Sequence, residues 1–271
     1  PVAEAAAESA TTLATAPRTP IVRSKPAERE HRVANQPAFV LHSYPYKETS
    51  LIVDVFSRDY GRVALMAKGA KRPHSKLRGA LQTFQPLQLG WSGKSEVRTL
   101  IAAEWIGGLL PLERAALLCG FYLNELLVKF LAREDDYEKL YDRYTETINA
   151  LSNLEFESKG LEEILRPFEL SLLQETGYAA ALDRCVETNE APVAQEQYVY
   201  QPERGVRPVQ GDDPGHWPVL TGKSLLAIAV GDFSDPETLS ESKQLMRFLL
   251  GLHLQDQVLT TRQILIDLKK I

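Results

Sequence analysis

Residues 49–67, TSLIVDVFSRDYGRVALMA, carry the pattern that decides the fold of this 271-residue chain. The first half alternates in hydrophobicity and places Leu51, Val53 and Val55 on one face, as in a strand with one buried side. Asp59-Tyr-Gly61 is a turn sequence, and the apolar residues after it return in a second strand pattern. The stretch therefore predicts a β-hairpin with a short turn.

Three further strand patterns flank this hairpin. Ala38–Tyr44 precedes it, and Phe84–Trp91 and Val97–Trp105 follow it. Five short strands within residues 38–105 indicate a small closed barrel, of which the five-stranded OB-fold is the commonest nucleic-acid-binding example. We therefore predict an OB-fold barrel, a DNA-binding domain, over residues 37–110.

The period of the apolar residues becomes helical after this barrel. Helices are predicted over Leu112–Leu131, Tyr137–Leu151, from Leu161 onward and over Leu239–Leu254. Residues 187–219 are rich in loop signals and contain one short strand pattern at Tyr198–Tyr200. Because strands come first and helices afterwards, we predict an α+β protein, in which an all-helical domain with a small loop and β region fills residues 111–271.

The remaining composition limits the class of protein. Residues 1–36 are predicted to form a flexible extension, because they are rich in alanine, interrupted by prolines and lack aromatic residues. The chain contains no run of eighteen apolar residues, so no membrane-spanning helix is predicted. It also shows no secretory signal pattern. Cys119 and Cys185 are too few for a disulfide framework and indicate a reducing compartment.

The sequence offers no motif for catalysis. Two Gly-Lys-Ser triplets, at Gly93 and Gly222, lack the glycine that a phosphate-binding P-loop carries five positions earlier. The five histidines are scattered without the spacing of metal ligands, and no Gly-x-Ser-x-Gly motif occurs. We therefore expect a protein that is not an enzyme and that binds neither a metal nor a cofactor.

The charge is distributed unevenly along the chain. Residues 37–110 carry a formal charge of +5, whereas residues 111–271 carry −11. No acidic residue occurs from Tyr60 to Ser95. Six bases of that span lie close together: Arg62, Lys68, Lys71, Arg72, Lys76 and Arg78. A cationic loop punctuated by glycine and proline is suited to phosphates, so these six residues are candidate DNA contacts; the alternative is a solvated loop that docks on the acidic helical domain.

Single-stranded nucleic acid also needs aromatic side chains on which bases stack. Tyr46 and Tyr60 stand at strand ends or turns of the predicted barrel and are the better stacking candidates. Phe56 and Phe84 alternate with aliphatic residues and are assigned to the core.

A series of short motifs runs through the chain in a characteristic order. In the first half they are Val40-Leu-His-Ser43, Tyr46-Lys-Glu-Thr-Ser50, Gly61-Arg-Val63, Ala67-Lys-Gly-Ala-Lys-Arg72 and Leu77-Arg-Gly-Ala-Leu-Gln82. In the second half they are Gly120-Phe-Tyr-Leu-Asn-Glu-Leu-Leu127, Leu165-Arg-Pro-Phe-Glu-Leu170 and Gly177-Tyr178. In their order and spacing, from Ala38 to Leu268, they resemble the RecO family of bacterial recombination mediators.

The resemblance implies a small region that in many members holds a four-cysteine zinc ribbon. Cys185 stands where the first ligand would be, but Thr188 occupies the next ligand position and no later cysteine pair follows. We therefore predict the zinc-free branch of the family, with a remnant of the ribbon at about residues 183–220 and no bound metal.

The resemblance also implies the function. Members of the family act in the RecF pathway of DNA repair and recombination, in the cytoplasm and associated with the nucleoid. They bind single-stranded and double-stranded DNA without sequence preference, anneal complementary strands and help RecR to load RecA. They engage single-strand-binding protein through its acidic C-terminal tail, which ends in apolar residues.

An acidic, apolar-ended tail needs a hydrophobic groove with cations at its rim. Lys129 and Arg133, at the end of the predicted buried helix, are the candidates for this role, although cations are also favoured there by the helix dipole alone. A second hypothesis is a protein adaptor, in which the barrel and its basic loop dock on RecR and the DNA affinity is incidental.

Overall fold

The computed structural model describes residues 32–154, 160–211, 213, 215–254, 258–261 and 263–264. It consists of an N-terminal barrel followed by a helical unit with a small sheet. The α+β fold predicted from the sequence is therefore confirmed. Most of the predicted N-terminal extension, residues 1–31, lies outside the described residues.

The barrel is closed by five strands. They are β1 (Arg32–Tyr46), β2 (Ser50–Ser57), β3 (Gly61–Ala67), β4 (Leu87–Ser92) and β5 (Val97–Trp105). They follow one another in the order β1-β2-β3-β5-β4, with β4 paired to β1. All the pairs are antiparallel except β3 with β5, which is parallel. This closed barrel confirms the predicted OB-fold.

The alternation in β2 separates the two sides of the barrel wall. Leu51, Val53 and Val55 belong to the barrel core, as the sequence predicts. Asp54 and Phe56 lie on the other side, and Phe56 is part of the core of the helical unit. One strand therefore contributes to both cores, because successive side chains of a strand point to opposite faces.

Two barrel strands begin elsewhere than predicted. β1 starts at Arg32, where its first residues pair with β4, so residues 32–36 belong to the barrel rather than to a flexible extension. β4 starts at Leu87 instead of Phe84. Phe84 has a positive φ of 65° and packs against Gly120, where an added Cβ would lie 2.9 Å from the Phe84 ring. Its ring belongs to the helical core, and its positive φ is incompatible with an extended strand at this position.

The segment between β3 and β4 covers one end of the barrel. It contains a short helix, α1 (Lys76–Ala80). Leu77 and Leu81 pack against the barrel core, and Ala70 is fully buried in it. The apolar side chains of this segment thus face the barrel, and its charged side chains face solvent.

The helical unit is built around a central helix. Its helices are α2 (Arg114–Phe130), α3 (Glu138–Ser152), α4 (Leu161–Glu175), α5 (Gly222–Ala229) and α6 (Pro236–Leu254). Leu123, Leu126 and Leu127 of α2 are completely buried, which confirms the predicted central helix. α6 begins three residues before the predicted start, because the Asp235 carboxylate accepts a hydrogen bond from the Thr238 amide and caps the helix.

A three-stranded sheet replaces the single short strand predicted near Tyr198. It consists of β6 (Gln197–Gln201), β7 (Gly205–Pro208) and β8 (Val219–Thr221), in the order β7-β6-β8. Cys185 is buried and forms an isolated bridge with Val206 of β7.

Among the described residues, no group of three or more His, Cys, Asp or Glu side chains could hold a metal ion. None of the described helices is both long and apolar enough to cross a membrane.

Candidate nucleic-acid interface

Five of the six predicted basic residues lie in the segment between β3 and β4. All five are exposed: Lys68, Lys71, Arg72, Lys76 and Arg78. None of them forms an ion pair with an acidic residue in the part of the chain that the structure describes. We call these five side chains the basic surface. Their charge is available to a polyanion from solvent.

The backbone beneath the basic surface is tied to the barrel. The amide of Lys71 donates a hydrogen bond to the carbonyl of Thr49, at a distance of 2.9 Å. Gly69, with a φ of 71°, starts a tight turn in which the Arg72 amide bonds back to the Gly69 carbonyl. The hydrogen bond to Thr49 places the basic loop beside the turn between β1 and β2.

Tyr46 lies at this same end of the barrel. It is the last residue of β1, it is 36% exposed, and the ammonium group of Lys47 lies 5.3 Å from its ring centre. Lys47 is a further exposed cation that the sequence reasoning missed. It stands next to Glu48 and outside the acid-free span, so the charge pattern gave no signal for it.

Arg62 departs from the prediction. Its guanidinium donates hydrogen bonds to the Asp54 carboxylate (3.0 Å) and to the carbonyl of Val128 in α2 (2.6 Å), and its side chain is only 13% exposed. Lys68 lies six positions after Arg62, just beyond the end of β3, which corresponds to about 20 Å along an extended strand. Arg62 therefore joins the barrel to the helical unit at the end opposite the basic surface.

Tyr60 lies at that opposite end as well. Its ring meets Trp91 edge to face, with 5.4 Å between the ring centres, and the side chain is half-buried. The structure thus brings Tyr46 to the basic surface and leaves Tyr60 with Arg62 at the other end of the barrel.

The two candidate residues for an acidic tail lie at the end of α2. Arg133 contacts Glu96 at 3.3 Å and approaches Asp54 at 3.9 Å, so part of its charge is used at the junction with the barrel. Lys129 is half-buried near Glu125. Burial alone would raise the pKa of Glu125, but hydrogen bonds from Thr261 and Thr260 and the charge of Lys129 hold that pKa below its ordinary value.

Many other cations of the helical unit have acidic partners. Ion pairs join Arg143 to Glu146, Arg184 to Asp183, Lys223 to Asp235, Lys243 to Glu162 and Arg166 to Glu169. This pairing follows from the excess of acids in residues 111–271. The charges of these five cations are therefore compensated, in contrast to those of the basic surface.

The buried ionisable groups of the helical unit belong to its packing. The thiol of Cys119 is buried, which raises its pKa to about 11 and keeps it protonated at neutral pH. Burial also raises the pKa of Glu169, although Arg166 and a hydrogen bond from Tyr122 oppose that shift. These groups lie inside the helical core, where a substrate has no access from solvent.

The sequence of this chain matches the models of one protein family and the sequences of its members. The model of the recombination protein O N-terminal domain matches residues 32–109, and the model of its C-terminal domain matches residues 112–262. The DNA repair protein RecO of Polynucleobacter necessarius is 86% identical over 240 residues, which cover 89% of this chain and 98% of that relative. RecO of Ralstonia nicotianae is 59% identical over 245 residues, covering 90% of this chain and 88% of that relative.

The family models together cover most of the barrel and of the helical unit, and both relatives far exceed the similarity at which family membership is secure. They support a role in DNA repair and recombination, and no catalytic activity is indicated by them. The chain belongs to the RecO family of DNA repair proteins.

Proposed function

We propose that this chain is a non-catalytic recombination mediator that binds single-stranded and double-stranded DNA through the basic surface. The observation that carries the proposal is that five exposed cations share one end of the barrel without an acidic partner among the described residues. Tyr46 and Lys47 extend this surface across the turn between β1 and β2.

Phosphate contacts of this kind do not depend on base sequence. They draw their free energy largely from the release of counterions, which single strands and duplexes both supply. The same contacts allow strand annealing, because two complementary polyanions repel each other until cations neutralise part of their charge. The proposal therefore includes annealing without a nucleotide cofactor, which agrees with the two Gly-Lys-Ser triplets that lack the P-loop glycine.

The proposal extends to protein partners. We assign the acidic, apolar-ended tail of single-strand-binding protein to the end of α2, where Lys129 and Arg133 supply positive charge. RecR would act with the DNA-bound protein to load RecA. The family membership and the chemistry of these residues support this part.

The DNA part is tested with a loop variant that removes four charges: Lys71→Gln, Arg72→Gln, Lys76→Gln and Arg78→Gln. Its control removes four exposed charges of the helical unit: Lys139→Gln, Arg143→Gln, Arg184→Gln and Lys223→Gln. Both variants change the net charge equally. We expect the loop variant to bind oligonucleotides and duplexes at least about a hundred-fold more weakly in 0.1 M salt and to anneal slowly. The control should resemble the original protein.

Equal DNA affinity in the loop variant and the original protein would contradict the DNA proposal. If the loop variant then also lost its binding to RecR, the adaptor hypothesis would replace it. The two hypotheses therefore differ in which ligand the same four side chains hold.

The tail assignment is tested separately with Lys129→Gln and Arg133→Gln in one protein. Glutamine is chosen because a glutamate at position 133 would face Asp54. We expect weaker binding of a fluorescent peptide with the tail chemistry, and unchanged DNA affinity. A double variant that holds the peptide as tightly as the original protein would move the tail site elsewhere.

A further inference from the structure

An exposed apolar corner lies at the end of β5 and has no role in the function proposed above. Trp105, the last residue of β5, is 55% exposed. Ile106 and Leu110, which follow it, are exposed as well. A large aromatic ring that a small barrel leaves in solvent is a candidate contact for a ligand.

The strand register shows which way Trp105 faces. Trp105 pairs with Leu87 of β4, and two residues earlier Ala103 pairs with Leu89. Paired residues of antiparallel strands project to the same face. Leu87 and Leu89 belong to the barrel core, so Trp105 projects to the core side of the sheet, at the rim of the barrel.

The same rim carries α1. β3 pairs with β5 only as far as Thr99, so the rest of that edge of β5 extends past the end of β3. α1 packs beside β5, and its Leu77 reaches the same core as Leu87. Lys76 and Arg78 flank Leu77 and are exposed. An exposed aromatic ring and two cations of the basic surface therefore border one rim.

We propose that Trp105 is a platform on which a base of single-stranded nucleic acid stacks while its phosphates contact Lys76 and Arg78. This inference rests on the proposed function and assigns a role to a residue outside the basic surface. A cationic groove with aromatic side chains is the combination that binds single strands without sequence preference. The neighbouring charge favours a polyanion over an apolar protein segment as the occupant.

The subsite discriminates between forms of DNA. The bases of a duplex are paired and stacked on one another, so they are not free to stack on Trp105. Phosphates, in contrast, are accessible in both forms. Trp105 should therefore add affinity for single strands alone, whereas the basic surface adds affinity for both.

The experiment compares Trp105→Ala and Trp105→Phe in the full chain, with a dT oligonucleotide and a duplex of equal length at one salt concentration. We expect Trp105→Ala to bind the dT oligonucleotide between about five-fold and a hundred-fold more weakly, the range that removal of one stacking aromatic produces. Its duplex affinity should stay within two-fold, and Trp105→Phe should retain most of the single-strand affinity.

Fluorescence provides a second readout. In a Trp217→Phe background only Trp91, which is buried, and Trp105 remain. The dT oligonucleotide should quench the emission of this protein, and the quenching should disappear when Trp105→Ala is added.

Unchanged dT affinity and no quenching of Trp105 would overturn the inference and leave the corner to a protein partner. The proposed function would still stand if the loop variant lost its DNA affinity in the same assay. If instead Trp105→Ala weakened dT binding and the loop variant did not, the stacking subsite would stand and the basic surface would be wrong.

Discussion

Arg62 and Lys68 belong to one acid-free stretch of sequence, yet they lie in different electrostatic surroundings. Arg62 is enclosed at the junction of the barrel with the helical unit, where Asp54 and a carbonyl of α2 accept its hydrogen bonds. Lys68 and the other cations of the basic surface stand in solvent and have no ion pair among the described residues. A cation in an acid-free stretch of sequence can therefore still be paired with an acid in the folded protein.

Burial explains the difference between the two regions. A charged group that leaves water needs protein partners to replace its hydration, so the two enclosed arginines of the junction are paired: Arg62 with Asp54 and Arg98 with Glu134. Exposed cations keep their hydration and need no partner. The junction should thus contribute to stability and the basic surface to binding, and three substitutions test this division.

The largest effect is expected for Asp54→Ala. Asp54 is 2% exposed, and its loss would leave Arg62 enclosed without its carboxylate and close to the charge of Arg133. We expect the free energy of unfolding in urea to fall by about 3 kcal/mol or more. Glu104→Ala removes an exposed acid of β5 and should change it by less than about 0.5 kcal/mol. A fall of similar size in both variants would show that the junction has no special role.

A pair of glycines gives the next comparison. Gly61 has a φ of 60°, and a Cβ there would lie 1.7 Å from the backbone oxygen of Asp135. Gly61→Ala should therefore lower the free energy of unfolding by at least about 2 kcal/mol. Gly79, in α1, has no atom within 4 Å of an added Cβ. Gly79→Ala should raise stability slightly through helix propensity and leave DNA affinity unchanged. Thermal unfolding of both variants measures the contrast, and a stable Gly61→Ala protein would contradict it.

The smallest of the three effects concerns a buried hydrogen-bond chain across the junction. The Tyr144 hydroxyl donates to the Asn124 side-chain oxygen (2.7 Å), and the Asn124 amide donates to the carbonyl of Leu41 in β1 (3.0 Å). Tyr144→Phe should cost about 1 kcal/mol in urea unfolding, because Asn124 loses a buried donor. DNA affinity should not change; a loss of DNA affinity at equal stability would mean that the junction also forms part of the binding site.

The sequence predicts the elements whose patterns are local. Leu51, Val53 and Val55 alternate strictly, and α2 is apolar over several turns, so both were predicted correctly. β7 and β8 escaped prediction because they have only four and three residues and owe their structure to pairing with β6. Short strands of this kind carry too few residues for a period to emerge.

The candidate site was predictable only where it depends on local sequence. The clustering of Lys68 to Arg78 is a property of the sequence, and their exposure agrees with it. The pairing of Arg62 depends on the alignment of β2 with β3 and on a carbonyl of α2, 66 residues away. The exposure of Trp105 depends on where β3 stops beside β5. Neither the pairing of Arg62 nor the exposure of Trp105 can be read from a local sequence pattern.

The division between the two regions is tested most directly by the salt dependence of single-strand affinity in the original protein, the loop variant and its control. Each phosphate contact that is lost should lower the slope of log affinity against log salt by about 0.7, so the loop variant should lose up to about 3 in slope. The control, with the same net charge, should keep the original slope. An unchanged slope in the loop variant, or an equal loss in the control, would contradict the account.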